Sequence, residues 1–341
     1  MFLNRQVIWL LVLIIILILL SFPRFNRNDI GIRSLTAGGI GSLGDSADYT
    51  AMTLYFRGEK TVNDLRPPYT YRPLVPFLAA LLPLKNPMTA INLINLLAMI
   101  LTTIFMYKNI AWLDLDLNYC IIGCGLFVVS FPTFYYATIG YTDPVLVCLL
   151  TIGLYLIFDN SWVLLASVII MGTLVKETII ILNITLMVYL IFNRKIFMKQ
   201  GLMLSSLMLL FFTVSYYFAR RIIPVDPGIG WVPSFERLIF NMSRTRCWLS
   251  FLLTYGVPGI LALFIFKYRT TIWFNKRFTV TATLLTGILL SFVLFGYSML
   301  AAAADGRFIW TSYPFSVPLA VIVLSEIKNS WLKNKLLCSK T

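Results

Sequence analysis

The sequence predicts an all-α, polytopic membrane protein with about ten transmembrane helices, plus interfacial helices in the first outer loop. Three observations carry this. Of 341 residues, 59% are hydrophobic and only 12% charged, where a soluble domain carries about 25% charged residues. The mean hydropathy is +0.84. The apolar residues also come in long blocks, such as 7–20, 89–107 and 202–218, each near the roughly 20 residues that cross a hydrocarbon core of about 30 Å. A soluble globular enzyme and a disordered chain are both excluded.

Taken in order, the first block, 7–22, follows Arg5. Ser21-Phe22-Pro23 offers no small-residue cleavage site, so this span is expected to stay as an anchor rather than leave as a signal peptide. Residues 23–88 form the first outer loop. Its apolar stretch 73–84 covers only about 18 Å as a helix and contains Pro73, Pro76 and Pro83, so it is expected to lie at the interface or re-enter. Further spans are expected at 89–107, 119–138, 144–158, 162–176, 177–193, 201–218, 248–266, 279–299 and 311–325. Asp159-Asn160-Ser161 is the turn between two short ones, and 219–247 is a second large outer loop. Residues 1–341 read as a single transmembrane domain with no separate soluble domain and no internal repeat.

Ten spans put both termini on one face, with thirteen basic residues in its short loops and tails, among them Arg194, Lys195, Arg269, Lys276, Arg277 and Lys340. Short basic loops read as cytoplasmic. The cytoplasmic set has nine Lys and four Arg, and the outer set twelve Arg and three Lys. Lysine suits general attraction to anionic headgroups, whereas arginine's planar fork grips a phosphate in bidentate fashion. Ten of the fourteen acids also fall on the outer side, Asp29 and Asp226 among them. The net charge of +14 is thus assigned to lipid surfaces and lipid phosphates, not to nucleic acid. With no histidine in the chain, Ser-His catalysis, His-ligated zinc and imidazole relays are excluded. The five cysteines show neither metal-ligand nor disulfide spacing.

Five polar clusters fall on the predicted outer face. GDSADY, 44–49, sets Asp45 and Asp48 three apart behind Gly44. This fits a capped loop helix over 48–57, or a general base for an acceptor hydroxyl. RPPYTYRPLVP, 66–76, projects Tyr69, Tyr71 and Arg72 before the interfacial stretch, as an aromatic belt or a grip on a lipid phosphate. GYTDP, 140–144, places Asp143 at a helix start, where the dipole favours a carboxylate. VKET, 175–178, puts Lys176 and Glu177 between two spans, either wet or lining a cavity. ADGRFIWTSYP, 304–314, carries Asp305 and Arg307, and Arg220 with Arg221 leaves the seventh span. Either arginine site is also compatible with snorkelling.

These motifs, GDSADY, YRPLVPFLA, YTDP, KET and DGR in this order, together resemble the bacterial GT-C superfamily of integral-membrane glycosyltransferases. The likeness covers most of the chain by layout and rests on short motifs. It implies a multi-span fold with a catalytic carboxylate in the first outer loop, and a sugar donor carried on polyprenyl phosphate. By that resemblance Asp45 or Asp48 is the base, with Asp45 favoured because it follows the glycine. Arg72, Lys176 and Arg307 face the phosphate, with Tyr71 and Arg220 alongside, and Asp143 and Glu177 shape the cavity. The acceptor is a glycan or a lipid-linked molecule. The sequence departs from the oligosaccharyl- and arabinosyltransferase members in showing no C-terminal periplasmic domain, so acceptor recognition is expected to fall to the loops.

The implied reaction is a single inverting displacement that needs no cofactor. A divalent cation bridging Asp45 and Asp48 is the alternative to the basic clamp. The expected setting is the bacterial inner membrane, with the site on the periplasmic or extracellular face, both termini cytoplasmic, and a role in envelope polysaccharide synthesis. Two other classes fit the same charges: a flippase or transporter of lipid-linked saccharide, and a polysaccharide polymerase with 219–247 as its long late loop.

Overall fold

The computed structural model describes residues 5–25, 45–193, 199–225, 232–267 and 278–338, with side chains through residue 331. Asp29, Gly44, Arg194, Lys195, Asp226, Arg269, Lys276, Arg277 and Lys340 lie outside the described residues. Within them every regular element is helical.

The chain begins with α1 (Arg5–Ser21), followed by α2 (Asp45–Phe56), α3 (Leu74–Ala80), α4 (Pro87–Ala111) and α5 (Leu117–Val128). Next come α6 (Phe131–Tyr136), α7 (Asp143–Asp159), α8 (Trp162–Val175) and α9 (Ile180–Phe192). The rest are α10 (Lys199–Ile222), α11 (Phe235–Ser243), α12 (Thr245–Leu263), α13 (Phe278–Ala301), α14 (Arg307–Trp310) and α15 (Tyr313–Cys338).

Five helical segments are long and apolar enough to cross a membrane: Arg5–Arg24, Pro87–Ala111, Lys199–Ile222, Thr245–Phe266 and Phe278–Ala301. Their outward faces are apolar. Leu19, Met203 and Val293 are each about two-thirds exposed, as a bilayer-facing surface requires. The shorter apolar helices α5, α8 and α9 fill in between them. α7 is the central element, buried along nearly its whole length against α4 and α8.

The expected span 119–138 is corrected. Its helix ends at Val128, Ser130 is extended, and a separate short helix starts with Pro132 in its first turn. Proline lacks the N–H that a continuing helix needs and clashes with the preceding turn. The first-loop helix begins at Asp45 rather than Asp48. In 73–84 only seven residues are helical, and Glu177–Ile179 is a 3-10 turn that leads into α9. The turn at 159–161 is as expected, with Asn160 left-handed at φ 57°, a conformation asparagine tolerates at a helix end.

Successive helices run between two ends of the bundle. At one end lie the starts of α2, α7 and α14 and the end of α8, where Lys176 pairs with Asp143 and Arg307 with Asp45. At the other, Lys328 on α15 sits over Tyr119 on α5, and Phe192 meets Phe278. The five polar clusters all come to the first end.

Candidate functional site

α2 supplies Asp45 and Asp48 in its first turn, on one side of the helix. Asp45 uses both oxygens. Tyr69 donates its hydroxyl to Oδ1 at 2.9 Å, and Arg307 Nη1 donates to Oδ2 in a short ion pair. Burial pushes the Asp45 carboxyl up, but Arg307 and the two hydrogen bonds outweigh it and hold it below the usual carboxylate range. Asp48 is different. Half-buried and beside Asp45, it is pushed up to about 6 by burial first and by the Asp45 charge second, with Arg66 opposing. Asp45 is therefore a fixed anion and Asp48 an adjustable one, with a proton affinity closer to that of a base working near neutrality.

Arg307 is held from its own segment as well. Asp305 Oδ1 accepts from the Arg307 backbone N–H at 3.0 Å and lies 3.3 Å from Nε. The rings of Tyr141 and Phe308 lie under the guanidinium at 4.7 and 4.9 Å. Burial also pushes Asp305 up to about 6, against the pull of Arg307. The glycine between them is required by contact. A Cβ on Gly306 would fall 2.2 Å from the Ser250 carbonyl oxygen on α12, and the Gly306 N–H donates to Ser250 Oγ at 2.8 Å. The DGR segment is thus pressed onto α12.

Two more ion pairs flank this one. Lys176, at the end of α8, donates to Asp143 at the start of α7 at 2.7 Å, with both side chains about 5% exposed. Arg72 grips Glu177 through Nη2 at 2.6 Å and Nε at 3.2 Å, and donates from Nη1 to the Tyr49 hydroxyl at 3.1 Å. Thr142 donates to the same hydroxyl at 3.2 Å, which ties α2, the 66–72 segment and the start of α7 together. The 138–141 segment ahead of Asp143 is fixed from α4, where Asn92 and Asn95 donate to the Thr138 and Tyr141 carbonyls at 3.1 and 2.8 Å. Gly140 there takes φ 75°, a value glycine adopts without strain.

Beside these pairs is a cavity of about 430 Å³ whose walls include Arg72, Lys176, Glu177, Arg220, Tyr216 and Phe308. Arg220 lies over Tyr216 at 3.4 Å and Tyr71 at 4.7 Å from the ring centroids. Among the described residues it makes no ion pair. Glu177 is the carboxylate left partly open, at 38% exposure.

The structure therefore brings together Asp45, Asp48, Arg72, Asp143, Lys176, Glu177 and Arg307, with Arg220 at the cavity wall and the Tyr71 ring against Arg220. Lys176 is buried rather than wet, Arg307 is ion-paired inside rather than snorkelling, and Arg72 is buried against Glu177. Sequence reasoning missed Tyr49, Tyr141, Asn92 and Asn95 as supports. The asparagine pair at i, i+3 inside an apolar block was the available signal for α4, since a buried amide needs partners. Among the described residues no group of three or more Cys, Asp or Glu gathers as metal ligands would. With Asp45 engaged by Arg307 and Tyr69, Asp48 is the carboxylate of that pair open to a cation. The four cysteines of the described helices with resolved side chains, Cys120, Cys124, Cys148 and Cys247, are buried and free.

No protein-family model matches the chain, and a search of curated proteins returns no match.

Proposed function

We propose that this chain is a membrane glycosyltransferase of the GT-C kind, moving a sugar from a polyprenyl-phosphate carrier to a hydroxyl acceptor. The observation that carries the reading is the meeting, at one end of an apolar bundle, of a half-open carboxylate beside a buried ion pair, three buried cations and a cavity with both a cationic wall and apolar walls. A flippase path has no need for a half-open carboxylate set beside a fixed ion pair.

In the proposed reaction the lipid tail of the donor lies along the bundle and its phosphate enters the cavity. Arg220 receives the phosphate, with Arg72 and Lys176 on the same wall. Asp48 takes the proton of the acceptor hydroxyl. The acceptor oxygen then forms its bond to the anomeric carbon as the bond from that carbon to the phosphate oxygen breaks. The electron pair stays on the departing polyprenyl phosphate, where the cations counter the charge. One displacement inverts the anomeric configuration, and the leaving group needs no general acid. Arg307, fixed by Asp45 and Asp305, holds α2 and with it Asp48. In this reading the site faces the periplasm or exterior of a bacterial inner membrane and both termini are cytoplasmic.

The test is incubation of the purified protein with a panel of radiolabelled polyprenyl-phosphate sugars and candidate glycan acceptors. Loss of donor with the native chain, absent with Asp48→Asn, supports the reading. No loss from any donor overturns it in favour of transport.

A further inference from the structure

α11 is the element the site does not explain. In its nine residues Asn241 is the buried one, while Phe235, Ile239 and Met242 are 76%, 62% and 55% exposed. At about 100° per residue these three fall within about 60° of arc. Leu238 adjoins that edge and packs on the cluster around Phe251 and Phe295. The opposite side carries exposed Glu236 and Arg237, and Phe240 with the guanidinia of Arg237 and Arg244 over its ring at 5.7 and 4.9 Å. Trp248, 41% exposed, donates its indole N–H to the Met242 carbonyl at 3.0 Å. The helix stands immediately before the long apolar α12, at the end of the bundle that holds the site.

An apolar edge, a cationic opposite side and a tryptophan at the junction with a span fit a helix lying in the headgroup layer. With Arg237, Arg244 and Arg246 against Glu236, the charge favours an anionic surface.

The buried Asn241 connects this helix to the site. Its amide donates to the Met299 and Ala302 carbonyls at 2.8 and 2.7 Å, and its oxygen accepts from the Ala304 N–H at 3.1 Å. Ser234, the N-cap of α11, donates its backbone N–H to the Leu300 carbonyl at 2.9 Å. All four bonds fall on the stretch that runs directly into Asp305-Gly306-Arg307. We infer that α11 is a docking element for the anionic lipid surface and that Asn241 is a positioning residue, transmitting the seating of α11 to the Arg307 segment. Neither the helix nor the clamp depends on the reaction proposed above.

The experiment uses the full chain in nanodiscs of phosphatidylcholine alone or mixed with phosphatidylglycerol. An environment-sensitive fluorophore on Ile239→Cys, in a Cys338→Ser background, reads the seating of α11. Hydrogen exchange over 302–307 reads the clamp. Expected are blue-shifted emission and slower exchange at 302–307 when phosphatidylglycerol is present. Both should weaken at high salt. Asn241→Ala should keep the blue shift and lose the lipid-dependent protection. Ile239→Ser with Met242→Ser, which alters only exposed side chains, should also lose that protection and covers the case in which Asn241→Ala fails to fold. A water-like emission in both lipids overturns the lipid surface in favour of a protein partner. Protection at 302–307 that Asn241→Ala leaves unchanged overturns the clamp.

Discussion

Asp45 and Asp48 differ by one helical turn and by almost everything else. The first is committed to Arg307 and Tyr69, and the second is half-buried with its carboxyl raised to about 6. As a base, Asp48 acts only when deprotonated, so turnover should fall as pH drops through about 6, read from the initial-rate profile. Asp48→Asn should keep fold and donor binding and lose roughly 10²–10⁴ in turnover, the scale of a lost general base. Asp45→Asn should instead cost roughly 1–3 kcal/mol of stability in a thermal melt. A buried charge deprived of its only partner costs about 3–5 kcal/mol, but Arg307 keeps Asp305. If Asp45→Asn is dead and Asp48→Asn turns over normally, the two roles are reversed. Arg72→Lys and Arg307→Lys preserve charge without the fork, and both should lose activity because each arginine makes contacts through two or more nitrogens or planar faces.

At the scale of elements, the site is a set of seams between helix ends. Lys176 and Asp143 join α8 to α7 with both charges buried. Lys176→Met alone should destabilise by about 3–5 kcal/mol, while Lys176→Met with Asp143→Leu should recover most of that, since a packed apolar pair avoids the desolvation penalty. Melting of the single and double variants in the same detergent checks it. Gly306 is the seam between the DGR segment and α12. Gly306→Ala drives a methyl into the Ser250 carbonyl, which is backbone and cannot swing aside. The segment must move, so stability and turnover should both fall. Val75 and Ala79, both fully buried, show how the short α3 contributes: it packs against α2 and α4 rather than crossing the bilayer.

For the whole molecule, the two ends of the bundle have distinct chemistry. Most acidic and arginine side chains of the described residues gather at the end with the cavity, and Lys108 and Lys328 lie at the other over aromatic rings, with Asp116 and Glu326 near Tyr119. A membrane-impermeant maleimide applied to intact spheroplasts should label Glu59→Cys and spare Lys328→Cys until the membrane is opened, in a Cys338→Ser background. Labelling of Lys328→Cys from outside, with Glu59→Cys spared, would invert the proposed orientation and put the site in the cytoplasm. The four buried cysteines keep the background low.

The sequence by itself determined the solvent of this protein and the whereabouts of its polar chemistry. Hydropathy depends on composition over some twenty residues, so no folding is needed to read it. Asp143, Lys176, Glu177, Asp305 and Arg307 were legible because charge beside an apolar block is costly unless something holds it. The break at Ser130 was also written in Pro132, yet the apolar run on both sides concealed it. Only tertiary structure decided the pairings. Arg307 meets Asp45 across 262 positions, and Arg72 meets Glu177 across 105. No local pattern encodes such partners, because they follow from which helix ends the packing brings together. The same packing split two neighbouring carboxylates into an anchor and an adjustable acid. Sequence saw two aspartates three residues apart, and the difference between them is set by what approaches each from elsewhere in the chain.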